Sequence, residues 1–189
     1  MDLIHNILVQ LIIPYGEISE ESIKRVFKHF QVKELKKGEY FSKAGDLRQI
    51  VGIQFSGILR SYLVTDKGIE KTTDFSRKGD ILTTIETEIP SIKWIQALNN
   101  STIATINRSQ FEKLIEQDLA WQIIIRKMTE SYFILKAKRE IELLSLDAAQ
   151  KYELFLSDFR DIASNIPQYH IASYLGISPV SLSRLRAYR

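Results

Sequence analysis

The rhythm of hydrophobic and polar positions changes three times along this chain, and each change marks a different kind of structure. Between Ser19 and Phe30, the apolar residues Ile23, Val26, Phe27 and Phe30 recur at helical spacing, with Glu20, Glu21, Lys24, Arg25 and Lys28 on the other side. Ser19 suits the N-cap and Ser22 stands at the capping-box position, which predicts a short amphipathic helix at the entrance to a domain. From Val32 to about Ile106, short runs rich in β-branched and aromatic residues alternate with turn signals: Lys37-Gly38, Ala44-Gly45-Asp46, Ser56-Gly57, Asp66-Lys67-Gly68, Lys78-Gly79-Asp80 and Asn99-Asn100. Ile58–Thr65 and Ile69–Phe75 flank the Asp66-Lys67-Gly68 turn as the arms of a hairpin. Regularly spaced short strands predict an antiparallel sandwich or barrel.

After the strands the period returns to that of a helix. Ser109-Gln-Phe-Glu112 reads as a capping box opening a short helix. Asp118 then caps a much longer pattern running to about Leu144. Its apolar positions are Trp121, Ile124, Ile125, Met128, Tyr132, Leu135, Ile141 and Leu144, interleaved with Arg126, Lys127, Glu130, Lys136, Lys138, Arg139 and Glu140. Such a helix could pack wholly on its own domain. At ~25 residues it would be ~38 Å long, more than one small sheet covers. A seam at near 3.5-residue spacing therefore predicts pairing with the same helix of a second copy. The seam falters at Lys138-Arg139.

Further helical segments follow, from Ala148 to about Phe159, from Pro167 to Gly176 and from Pro179 to the end. The last two carry the most informative run, Gln168 to Arg186. Two helices crossing at a tight turn need a small residue at the contact, supplied by Ala172. The turn needs a residue tolerant of left-handed geometry, supplied by Gly176. The second helix needs an N-cap and a compatible first residue, and Ser178-Pro179 is favoured chemistry for both. Ile171, Leu175, Ile177, Leu182 and Leu185 fall in step on the inner faces. That leaves Ser178, Val180, Ser181, Ser183, Arg184 and Arg186 at or near the exposed side. Hydroxyls there can bond phosphates or base edges, and arginine can bridge a guanine or clamp a phosphate. Arg184 is the candidate for base readout; Arg186, Tyr188 and Arg189 are candidates for backbone contacts. An ordinary helical hairpin with a solvated basic face is the plainer alternative. The combination of small residue, glycine, capped proline and matched apolar positions favours double-stranded DNA.

Charge sharpens this picture only locally. The formal net charge is +3 over 189 residues, too little to identify a nucleic-acid binder by itself. However, Asp161 is the last acidic residue, and Arg184, Arg186 and Arg189 follow it. The chain has no cysteine, which removes disulfides, thiolate nucleophiles, cysteine-bound zinc and iron–sulfur clusters. The opening Met1–Pro14 is apolar but broken by Asp2, His5, Asn6 and Gln10, without a basic leader or small-residue cleavage site. No apolar run approaches the ~18 residues of a membrane helix, so a cytoplasmic location is expected. The three histidines, His5, His29 and His170, all lie outside the strand region, which argues against a metal-dependent barrel enzyme. His170, on the first helix of the terminal motif, is expected at the surface or facing phosphate. Glu86 and Glu88 read as solvated carboxylates, no P-loop or nucleophile elbow occurs, and no enzyme activity or cofactor is expected.

Taken together, Gly38-Glu39, Gly45-Asp46, Ser56-Gly57, Gly68 and Gly79-Asp80, the long helix after Asp118 and Ile171-Ala-Ser-Tyr-Leu-Gly-Ile-Ser resemble the cyclic-AMP receptor protein/Fnr (Crp/Fnr) family of bacterial transcription regulators. The resemblance runs from about Ser19 to the end. It implies an α+β chain with an N-terminal antiparallel β-roll, a cyclic-nucleotide-binding-like jelly roll, over residues 1–117. A central dimerisation helix over 118–145 and a helix-turn-helix unit over 146–189 complete it. It implies a homodimeric DNA-binding regulator, with a degenerate protein-interaction module as the alternative. Two departures qualify it. The family's phosphate-binding cassette has Gly-Glu shortly after the Gly-Asp turn and then an arginine. Here Ile81-Leu82-Thr83-Thr84 follows Gly79-Asp80, and Lys93 is the nearest cation where the arginine would stand. A lysine offers a point charge rather than a fork, so Thr83, Thr84 and Lys93 mark an effector site not suited to cyclic AMP, and any effector is unidentified. With no cysteine, Fnr-style iron–sulfur sensing is excluded, and no histidine pair recommends haem. The second departure is the end at Arg189, short of the family's β wing, so the DNA-binding unit should be nearly all helical.

Overall fold

The computed structural model describes residues 2–47, 49–83 and 90–187, with side chains from Asn6 onward. Within them the β-branched runs form eight strands: β1 (Gln31–Leu35), β2 (Tyr40–Ser42), β3 (Ile50–Ser56), β4 (Leu59–Val64), β5 (Glu70–Ser76), β6 (Ile81–Thr83), β7 (Trp94–Ala97) and β8 (Ser101–Asn107). They make two antiparallel sheets, ordered β1-β8-β3-β6 and β2-β7-β4-β5. This is the expected roll, and β4 and β5 are the expected hairpin. Between the sheets lies a core of Leu35, Phe41, Leu59, Leu82, Ile95, Ala97 and Ile103. Strand alternation sends the next residues outward: Leu59 pairs with Ala97 on the inside, while Arg60 pairs with Gln96 and Tyr62 with Trp94 on the outer face. Gly57 links β3 to β4 at φ +85°, where a Cβ would fall 2.7 Å from the Asn100 carbonyl oxygen; only glycine fits that approach.

Helices cover the outside. The opening segment, which by sequence was only a broken apolar run, forms α1 (Asp2–Ile12). It lays Ile7 and Leu8 on Ile53, Phe55 and Ala104 of the first sheet. α2 (Glu20–Phe27) is capped as expected, with the Ser22 N–H donating to Ser19 Oγ at 3.2 Å. It stops short of Phe30, which still packs in the same cluster. α3 (Arg108–Ile115) corrects the expected cap. Asn107 leaves β8 in an extended conformation and its side chain accepts the Ser109 N–H at 3.0 Å, so Ser109 already lies inside the helix.

α4 (Leu119–Ser145) has 27 residues, about 40 Å of helix at 1.5 Å per residue. Asp118 caps it, accepting the Ala120 N–H at 3.1 Å, the Ser22 hydroxyl and, at 2.7 Å, the Arg25 guanidinium. The Ser22 hydrogen bond leads the interactions that hold this carboxyl below the usual carboxylate range. Trp121 and Ile124 are buried against Ile12, Ile23 and Val26, with Ile125 and Met128 packed beside them. Those four residues of the expected seam therefore pack against helices of their own chain. The other four, Tyr132, Leu135, Ile141 and Leu144, are exposed, and Leu119, Ile123, Phe133 and Ile134 form with Ile141 and Leu144 a solvent-facing stripe that the seam did not include in full. The interruption at the seam also has a cause. Lys136 turns back to pair with Asp74 of β5, and Arg139 turns back to the Tyr174 carbonyl.

α5 (Ala148–Asp158) opens with a capping box between Asp147 and Gln150. A short 3-10 turn at Ala163–Asn165 leads to α6 (Gln168–Leu175) and α7 (Pro179–Ala187). Between Ala148 and Ala187 the described structure is helix and turn throughout. Its core is Tyr152, Phe155, Ile162, Ile166, Ile171, Ala172, Tyr174, Leu175 and Leu182, joined by Ile58 and Phe75 from the roll. Among the described residues, no helix is long and apolar enough to cross a membrane.

Candidate nucleic-acid interface

The turn between α6 and α7 is built as its residues require. Ala172 is fully buried at the helix crossing, where a larger side chain would force the two apart. Gly176 closes α6 in the left-handed region, φ 70° and ψ 25°. The next amide, Ile177 N–H, donates to the Ala172 carbonyl at 3.0 Å and folds the chain back. Ser178 Oγ accepts the Ser181 N–H at 3.0 Å, capping α7 ahead of Pro179. Leu182 then points into the core at 0 % exposure, with Ile177 and Leu185 partly buried beside it.

This anchoring leaves one side of α7 in water. Ser178, Val180, Ser183, Arg184 and Arg186 are all exposed. Ser181 is half-buried, and its hydroxyl lies 2.8 Å from Ser178 Oγ, so both hydroxyls serve the cap first. Among the described residues neither Arg184 nor Arg186 pairs with a carboxylate. Both stand in the last turn, where the helix dipole also favours cations. The result is a convex, acid-free face carrying short hydroxyls and two free guanidinium forks. Tyr188, Arg189 and Thr84 lie outside the described residues.

His170 is a correction. It is buried, at 6 % exposure, rather than facing solvent or phosphate. Its ring sits between α6 and the outer face of β4 and β5, close enough to Arg60 and Glu70 to feel their charges. Burial, reinforced by the Arg60 charge, pushes its pKa down to about 4, so it is neutral near pH 7. Arg60 is itself 1 % exposed. Its Nε donates to Thr72 Oγ1 at 2.8 Å, Nη1 meets Glu70, and the guanidinium covers the Tyr62 ring at 4.2 Å.

Sequence reasoning also gave no role to the residues that seat α6. Ser173 Oγ accepts the Thr72 N–H at 2.9 Å and donates to the Glu70 carbonyl at 3.2 Å. Phe75 sits among Phe155, Phe159 and Tyr174, with ring centroids 6.1, 5.9 and 5.4 Å away. No local pattern announces either role, because both partners are distant in sequence. The two expected effector residues that are described lie on different sheets. Thr83 ends β6 in the first, and Lys93 immediately precedes β7 in the second.

Comparison with known proteins agrees with this architecture. Residues 32–118 match the cyclic nucleotide-binding domain family. The chain is 27% identical to the fumarate and nitrate reduction regulatory protein of Vibrio cholerae, over 93% of this chain and 75% of that one. It is 28% identical to electron transport regulator A of Shewanella oneidensis, over 81% of this chain and 66% of that one. Among solved structures, FixK2 of Bradyrhizobium japonicum superposes with a TM-score of 0.75 at 19% identity, covering 84% of this chain and 83% of that one. At that identity the structural likeness speaks for the fold.

Proposed function

We propose that this chain, whose residues 32–118 match the cyclic nucleotide-binding domain family and which is similar to regulators of the Crp/Fnr type, acts as a cytoplasmic homodimer reading double-stranded DNA with α7. The observation that carries the reading is the exposed, acid-free face of α7, held outward by the Gly176 corner and the buried Ala172 and Leu182. Arg184 is the base-reading residue. Ser178, Val180, Ser181 and Ser183 complete the groove-facing surface, and Arg186 and Arg189 grip the backbone. Two copies joined along the exposed stripe of α4 would present two reading helices to successive major grooves, with half-sites about one helical turn (~34 Å) apart.

Within the roll, Thr83, Thr84 and Lys93 are the proposed contacts of an effector, if the protein uses one. The lone lysine in place of an arginine fork disfavours a cyclic phosphate. The chain performs no catalysis in this reading.

Fluorescence anisotropy with a labelled random duplex, titrated at several salt concentrations, tests the proposal. Affinity should fall linearly on a log–log plot against salt, and each of Arg184→Ala and Arg186→Ala should weaken binding and reduce the slope by about one. No affinity for duplexes even at low salt would discard DNA reading in favour of a protein-interaction role.

A further inference from the structure

We propose that the roll holds the reading head rigidly: Phe75, Ser173 and the β5 edge are positioning residues that fix α6, and through it α7, in one pose relative to α4. The biological meaning of that pose rests on the DNA-reading assignment; its existence does not.

Three contacts carry the inference. β5 is the edge strand of its sheet, and edge strands expose backbone groups that seek partners. The Ser173 hydroxyl answers two of them, taking the Thr72 N–H and giving to the Glu70 carbonyl. In effect α6 supplies one rung of the next strand. The second contact is Phe75, a roll residue that is 3 % exposed and buried in the aromatic centre of the C-terminal helices. The third comes from α4. Arg139 donates to the Tyr174 carbonyl at 2.9 Å and covers the Tyr174 ring at 4.1 Å, while Lys136, one turn earlier, pairs with Asp74 of β5. Thus α4, β5 and α6 are tied pairwise into a closed triangle. Domains joined through small polar surfaces move by default. This junction has an aromatic centre and directional hydrogen bonds at its rim, and such packing resists continuous deformation. The face of α7 lies outside the triangle, so a locked head is also an unmasked one.

The absence of native cysteine makes a direct test possible in the full chain. Cysteines placed at the exposed Lys33 of β1 and Ser164 ahead of α6 would carry spin labels. Labelled chains diluted into an excess of unlabelled chain report the intramolecular distance by double electron–electron resonance. The expected result is one narrow distance distribution, unchanged by cyclic AMP or by duplex DNA. Ser173→Ala and Phe75→Ala should lose that narrow peak, and the corresponding unlabelled chains should bind duplexes more weakly at unchanged dimer affinity. If Phe75→Ala fails to fold by circular dichroism, Ser173→Ala and the milder Phe75→Leu carry the test. A broad or two-peaked distribution in the parent, a peak that moves with cyclic AMP or with duplex DNA, or variants as narrow as the parent would overturn the proposal. A narrow peak in a chain that ignores DNA would instead retain the lock and remove the DNA-reading assignment.

Discussion

Replacing Ile134 and Ile141 together by aspartate should dissociate the protein into monomers without unfolding it. The exposed stripe of α4 includes Phe133 at 71 %, Ile134 at 60 %, Ile141 at 64 % and Leu144 at 83 % exposure. Burying an aliphatic or aromatic side chain completely stabilises by about 1.5–3 kcal/mol, and roughly two-thirds of that is still available at each position, about 1–2 kcal/mol. A two-fold pair contributes eight such side chains, so the gross gain is about 8–16 kcal/mol, set against an association cost of about 4–15 kcal/mol. The two ranges overlap, so the affinity of the proposed dimer depends on every side chain in the stripe. The double substitution removes four of the eight, about 4–8 kcal/mol, and the symmetry adds repulsion because it brings like groups near one another. The dissociation constant should rise by about a thousandfold or more, each 1.4 kcal/mol being tenfold.

Sedimentation velocity across a micromolar concentration series measures this directly, with circular dichroism to check the fold. Lys136→Met is the internal control. Lys136 faces Asp74 rather than the stripe, so its loss should lower thermal stability and leave stoichiometry alone. An Ile134→Asp, Ile141→Asp chain that sediments as the parent dimer at unchanged affinity would refute the assignment of this stripe to pairing.

Three further outcomes follow from the geometry. Ala172→Leu, which inserts a branched chain at a site with 0 % exposure, should cost about 1–3 kcal/mol by overpacking and release α7 first, measurable as faster hydrogen exchange in 178–187 than in the roll. Acidification should destabilise the fold through His170. Its folded pKa of about 4 lies below the ordinary 6.5, so the unfolded chain binds the proton first, and stability is lost as pH falls from about 6.5 towards 4; urea titrations of the parent and of His170→Phe should differ in slope across that window and run parallel above it. Isothermal titration with cyclic AMP should show no micromolar affinity, and a clear micromolar isotherm would restore a phosphate-binding role to the roll.

The parts of this fold that were legible in sequence are those fixed by local chemistry. Gly68 between two β-branched runs declares a hairpin because the turn itself demands positive φ. Gly176, Ser178 and Pro179 declare the corner between α6 and α7 for the same kind of reason. α4 was legible as a helix but not in its facing. It is apolar on two sides, and a single period cannot tell Ile124, which meets Ile23 and Val26 of α2, from Ile123, which meets water. His170 looked like a surface residue because its cover comes from Arg60 and Glu70, about a hundred positions earlier. Phe75 and Ser173 were illegible in the same way, since each acts across the junction of the roll and the terminal helices.

The two faces of α4 also explain why pairing and reading should be coupled in this chain. Within the stretch 132–144, Phe133, Ile134, Ile141 and Leu144 point outward, whereas Lys136 and Arg139 point to β5 and α6. One segment of one helix therefore carries both the surface available to a second copy and the clamp on the reading head. Packed interfaces change by discrete steps, and a slip of one helical turn is about 5.4 Å. Because Arg139 fixes Tyr174 to α4, such a slip between paired α4 helices would move each α7 with its own helix rather than leave it behind on a tether. Half-sites separated by about 34 Å tolerate no error of that size. On the proposed dimer the register of the stripe, rather than a swing of the terminal helices, would set whether two reading heads match one operator.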